Sequence, residues 1–109
     1  MEITFATAKL AKLCNSEVAL IRTYGVRCAT RIRLRLQQLE AVSTLADMVF
    51  DRPHELKGDR AGQVSLDLVH PLRLVICPDA NPVPRKPDGG IDRTKVDTVT
   101  VIEITDTHE

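Results

Sequence analysis

Apolar residues recur at three- and four-residue steps through the first half of the chain and alternate with polar ones through the second. Residues 2–5 predict a short first strand. Thr7 is placed to cap a helix running to Cys14, with Leu10 and Leu13 as its apolar pair. Asn15-Ser16 punctuates the pattern, and Ser16 can cap a second helix starting at Glu17. Gly25 interrupts that helix, because a mid-helix glycine costs about 1 kcal/mol relative to alanine. From there Val26, Ala29, Ile32, Leu36 and Leu39 define the core face of a long helix. Arg27, Arg31 and Arg35 fall at i, i+4 and i+8 and predict a separate basic stripe. Thr44-x-x-Asp47 resembles a capping box for a short helix ending near Phe50, which Asp51-Arg52-Pro53 stops.

The period then changes. Val64, Leu66 and Leu68 alternate with Ser65 and Asp67, as in a strand with one buried face. His70-Pro71 signals a turn, and Leu72, Leu74 and Ile76 alternate with Arg73 and Val75, so the two segments predict a hairpin. Residues 78–90 hold Pro78, Pro82, Pro84, Pro87 and Gly89-Gly90, the composition of a loop. The whole segment 78–95 is expected to be an exposed insertion between strands. Residues 96–104 alternate, yet both parities carry Val or Ile, which predicts a strand central in its sheet. This order predicts an α+β domain, with an N-terminal strand and helices packed on one face of a small, mostly antiparallel twisted sheet.

Composition changes this picture little. The 109 residues suit one domain spanning 1–109 with one core. With 3% aromatics and no Trp, that core is made of Leu, Val, Ile and Ala. No apolar run reaches the roughly 18 residues of a membrane span, and Met1-Glu2-Ile3-Thr4-Phe5 lacks the pattern of a secretory signal. Cys14, Cys28 and Cys77 are odd in number and widely spaced, which fits reduced packing residues in a cytoplasmic protein. No CxxC is present to suggest a zinc knuckle. Net charge is zero but uneven: residues 18–39 hold five arginines and no acid. One face is therefore expected to be basic.

Chemistry is expected where residues 54–60 meet the terminal Asp106-Thr107-His108. His54-Glu55-Leu56-Lys57-Gly58-Asp59-Arg60 places an imidazole and two cations close together, with Gly58 permitting a tight turn. An imidazole with an ordinary pKa near ~6.5 serves as acid or base at neutral pH. A pair of them beside Lys or Arg suits RNA cleavage. One deprotonates the ribose 2′-OH, the other protonates the leaving 5′ oxygen, and the cations stabilise the phosphorane-like charge. On spacing alone, however, each His is a surface or turn residue more often than a catalytic one. If Leu66, Leu68, Leu72 and Leu74 face the helices, Asp67 and Arg73 face away from them. Arg73 there either grips a phosphate with its guanidinium fork or is a solvated side chain paired with Asp67.

Leu56-Lys57-Gly58-Asp59-Arg60, Ser65-Leu66-Asp67-Leu68, Arg73-Leu74 and the terminal Asp106-x-His108 together resemble the HigB toxins. These belong to the RelE/ParE superfamily of bacterial type II toxin–antitoxin systems. The resemblance extends to Phe5 and Leu45-Ala46-Asp47, and so covers nearly the whole chain. It implies a microbial-ribonuclease-like fold and a ribosome-dependent mRNA endonuclease that inhibits translation. It implies as partners the ribosome, mRNA and a cognate helix-turn-helix antitoxin (HigA-like), whose complex represses its own operon, with no membrane involved. Carried over, His54 and His108 form the acid–base pair, Asp106 orients or tunes the site, and Lys57, Arg60 and Arg73 hold phosphates. No metal or other cofactor is implied. The family ending is Asp-Tyr-His, whereas Thr107 occupies the tyrosine position here. A threonine cannot stack on a base, an interaction worth ~1–3 kcal/mol. The alternative is therefore a non-catalytic or attenuated binding protein on the same scaffold, acting through another target or through its antitoxin complex. The Arg27, Arg31 and Arg35 stripe would contact ribosomal RNA or an acidic antitoxin segment, or is simply a solvated helix face.

Overall fold

Thr7 opens the first helix. The computed structural model describes residues 1–49 and 53–107, and in it the strand β1 (Glu2–Phe5) leads into Thr7. The Thr7 hydroxyl accepts from the Leu10 N–H at 3.1 Å and starts helix α1 (Ala8–Cys14). Ser16 does the same for α2 (Glu17–Tyr24), accepting from the Ala19 N–H at 3.1 Å. Gly25 then separates α2 from α3 (Val26–Ala41) with φ +86° and ψ 164°, backbone that is essentially restricted to glycine.

Two expectations for α3 need correction, for one geometric reason. A three-residue step falls about 60° short of a full helical turn, and a four-residue step overshoots by about 40°. The line from Val26 through Ala29 to Ile32 therefore winds around the helix. Ala29, Ile32 and Leu39 are buried, Leu36 is half-buried, and Val26 is 65% exposed. The arginine stripe winds the other way: Arg27 is exposed, Arg31 is half-buried, and Arg35 is only 5% exposed. Beyond α3, Asp47 accepts from the Thr44 N–H at 3.2 Å, but only one 3₁₀ turn forms, Leu45–Asp47, in place of a short helix. Phe50, Asp51 and Arg52 lie outside the described residues.

The remaining strands are β2 (His54–Glu55), β3 (Val64–Asp67), β4 (Leu72–Pro78) and β5 (Thr98–Asp106). They assemble with β1 in the order β1-β5-β4-β3-β2. β1 runs parallel to β5, and every other neighbouring pair is antiparallel. The expected hairpin is β3–β4, with Asp67 opposite Arg73. The helices cover one face, where Leu20, Ala29, Ile32 and Leu39 pack with Leu66, Leu74, Ile76, Val99 and Val101. The chain is thus an α+β fold with helices on one face of a mixed, mostly antiparallel sheet.

β5 lies inside the sheet, between β1 and β4. Its two-sided apolar pattern has a local cause. Val75 pairs with Glu103 while the next residue, Ile76, pairs with Val101, so Ile102 is an extra residue in the ladder. This bulge reverses the alternation. Val99 and Val101 face the helices before it and Ile104 after it, which turns Glu103 onto the opposite, open face.

Segment 78–95 is not the wholly exposed loop that its prolines predict. Ile91 is 1% exposed and belongs to the core, as does Val96 just beyond the segment. A 3₁₀ turn, Arg93–Lys95, leads to Val96, whose carbonyl accepts from the Leu45 N–H at 2.9 Å. Among the described residues no helix is long and apolar enough to cross a membrane.

Candidate functional site

β2 and β3 are joined by residues 56–63, which fold tightly. The Leu56 N–H donates to Gln63 O at 2.9 Å, and Gly58 takes φ +63° at the start of a 3₁₀ turn, Gly58–Arg60. Within it the Arg60 N–H donates to Lys57 O at 3.2 Å and the Ala61 N–H to Gly58 O at 3.0 Å. The turn aims the Arg60 guanidinium back toward the sheet. One Nη donates to Gln63 Oε1 at 2.9 Å and the other to Glu103 Oε1 at 2.5 Å.

Glu103 belongs to a row across the open face. His54, Ser65, Val75 and Glu103 are successive register partners on β2, β3, β4 and β5, so their side chains share that face. Asp67, Arg73 and Thr105 form the next row. Arg73 Nε stands 3.3 Å from Asp67 Oδ1, and one Arg73 Nη donates to Ser65 Oγ at 3.3 Å. Hairpin phasing therefore placed Arg73 on the correct face, and its fork is already engaged with Asp67 there.

Residues 56–60 and Asp106-Thr107 line one cleft of about 830 Å³. Lys57, Arg60 and Asp106, named from the sequence, are thus brought together. His54 and Arg73 do not line that cleft, although they occupy the sheet face that Arg60 crosses. His54 is exposed on the edge strand. His108 lies outside the described residues.

The arginine stripe does not form one contact surface. Arg35 Nε donates to Asp67 O at 2.7 Å and its Nη1 to Gln38 Oε1 at 3.2 Å, so this side chain ties α3 to the end of β3. Only Arg27 and Arg31 keep access to a partner. Burial pushes the Cys14 thiol up to about 11 and raises Cys28 and Cys77 as well. Thiols held protonated this way are poor nucleophiles at neutral pH.

Two contributors escaped the sequence. Glu103 has the parity of Val99 and Val101 and reads as core facing until the Ile102 bulge is known. Ser65 reads as a polar, solvent-side position but is fully buried beneath Arg73. No protein-family model matches the chain, and no curated protein matches it.

Proposed function

We propose that this chain is the toxin of a type II toxin–antitoxin system of the HigB kind, a metal-independent endoribonuclease acting on translated mRNA. The observation that carries this is the cleft in which Lys57 and Arg60 face Asp106 and Thr107, residues distant in sequence. Its cations suit RNA phosphates, Arg73 adds a guanidinium on the adjoining sheet face, and His54 stands on that same face. His54 and His108 serve as base and acid, Asp106 orients the acid, and Lys57, Arg60 and Arg73 balance charge on the phosphate. The partners are the ribosome with its mRNA and a helix-turn-helix antitoxin, and the site of action is the cytoplasm.

A second reading has its own support. Arg60 is paired with Glu103 and Arg73 with Asp67, so both guanidiniums already have anionic partners. An attenuated or non-catalytic binding protein would keep such pairs. Inducible expression of the wild type beside His54→Ala and His108→Ala separates the two, with growth scored and mRNA 5′ ends mapped. Growth arrest with new 5′ ends, lost in both variants, is expected. Arrest by all three chains without new 5′ ends would establish the binding protein instead.

A further inference from the structure

The cleft does not end at Lys57. A groove of about 400 Å³ adjoins it, and Leu56 and Lys57 line both. Its far wall is the turn at residues 86–90, part of the segment whose prolines marked it as an insertion.

That turn is built and clamped. The Lys86 N–H donates to Gly90 O at 2.8 Å, the Gly89 N–H to Lys86 O at 2.9 Å, and the Asp92 N–H to Pro84 O at 2.9 Å. Buried Ile91 anchors it in the core, and its N–H donates to Glu55 Oε1 on β2 at 3.1 Å. Asp88 Oδ1 accepts from the Gly90 N–H at 2.8 Å, and this bond with the nearby Lys86 ammonium holds the Asp88 carboxyl below its usual range. A Cβ on Gly90 would lie 3.1 Å from Asp88 Oδ1 and 3.3 Å from Lys86 Cε. A side chain there would press on Asp88 and Lys86 and move them by a few tenths of an ångström.

The groove therefore holds two lysines and two carboxylates, but these are not equivalent. Each carboxylate has an oxygen committed to a backbone N–H, Asp88 to that of Gly90 and Glu55 to that of Ile91. The Lys86 ammonium sits 3.6 Å from Asp88 Oδ2 with its side chain 53% exposed, an arrangement that binds it weakly. It is free to turn toward an anion that crosses the groove. Lys57, on the shared wall, is the neighbouring cation. Among the described residues no aromatic side chain lines either cavity, so the cations address a polyanion's backbone rather than its bases.

We propose that the 86–90 turn forms a second phosphate subsite for single-stranded RNA, with Lys86 as its cation, continuous with the cleft through Lys57. This rests on the endoribonuclease reading and extends its substrate path beyond the scissile position. The segment between β4 and β5 then fixes how long a stretch of RNA the protein grips.

The test is binding of 2′-O-methyl oligouridylates, which resist cleavage, to the full chain at low ionic strength by fluorescence anisotropy. A dinucleotide and a decanucleotide are compared for the wild type, Lys57→Ala, Lys86→Ala and Lys86→Arg. Lys86→Ala is expected to lower the ratio of long to short affinity severalfold and to cut the slope of log affinity against log salt by about 0.7 for the decanucleotide. Lys86→Arg should restore both. Lys57→Ala should weaken both RNAs. If Lys57→Ala weakens binding and Lys86→Ala changes neither ratio nor slope, the second subsite is overturned and the endoribonuclease reading stands. Failure of the wild type to bind either RNA would overturn the second subsite alone, because the endoribonuclease reading has mRNA engaged on the ribosome and is decided by the expression test.

Discussion

Arg27 and Arg35 lie on one helix at a spacing that suggests equivalence, and their surroundings are opposite. Arg27 is exposed, whereas Arg35 donates from within the protein to the Asp67 carbonyl and to Gln38. Hydrogen bonds from a charged donor contribute roughly 1.5–3 kcal/mol, and a half-buried carbonyl left without its donor adds to the loss. Arg35→Met should therefore lower the unfolding free energy by about 1.5–3 kcal/mol, while Arg27→Met stays within about 0.5 kcal/mol. Urea unfolding of both variants measures this, and equal stabilities would show that the Asp67 contact contributes nothing. The contrast also marks what spacing encodes. Arg73 was legible because strand alternation is binary, so assigning Leu72 and Leu74 to the core settles its side. Arg35 was not, because a helix turns continuously and four-residue steps drift toward the core. His54 and Lys57 are neighbours in sequence, yet one sits on a strand edge and the other in the cleft wall.

Element boundaries were legible wherever a single side chain or glycine sets them. Thr7 and Ser16 cap as their types predict, and Gly25 breaks α2 from α3. What stayed hidden were features that depend on a partner strand. The Ile102 bulge exists only in the ladder with β4, and segment 78–95 is tied to β2 by the Ile91 N–H donated to Glu55. Proline content reports where a ladder cannot run, not whether an isoleucine inside the segment reaches the core. The Gly25 junction lends itself to a clean test. Its backbone angles fall in a region that costs other residues about 1–3 kcal/mol. An added Cβ meets nothing within 4 Å, so steric collision does not confuse the result. Gly25→Ala should accordingly cost about 1–3 kcal/mol in urea unfolding. An unchanged midpoint would mean that the helix junction relaxes to ordinary angles without loss.

Across the whole molecule a net charge of zero hides a division. Residues 8–41, which form the helical layer, carry seven bases and two acids, a net of +5, and the rest of the chain carries −5. The candidate cleft lies in the acidic part, so overall field does not draw RNA to it. In the proposed reading that task falls to Lys57, Arg60, Arg73 and Lys86, the last three of which must exchange Glu103, Asp67 and Asp88 for RNA phosphates. RNA therefore has two routes on one molecule under the proposed reading, and salt distinguishes them. Each phosphate contact with a single strand contributes about 0.7 to the slope of log affinity against log salt. Lys57, Arg60, Arg73 and Lys86 together predict a slope near −3 for a long oligonucleotide. Because Arg27 and Arg31 stand on the opposite layer, replacing both with Ala should leave that slope unchanged in the same anisotropy titration. A steeper slope that flattens in the Arg27→Ala, Arg31→Ala chain would move RNA to the helical layer and leave the cleft without its substrate.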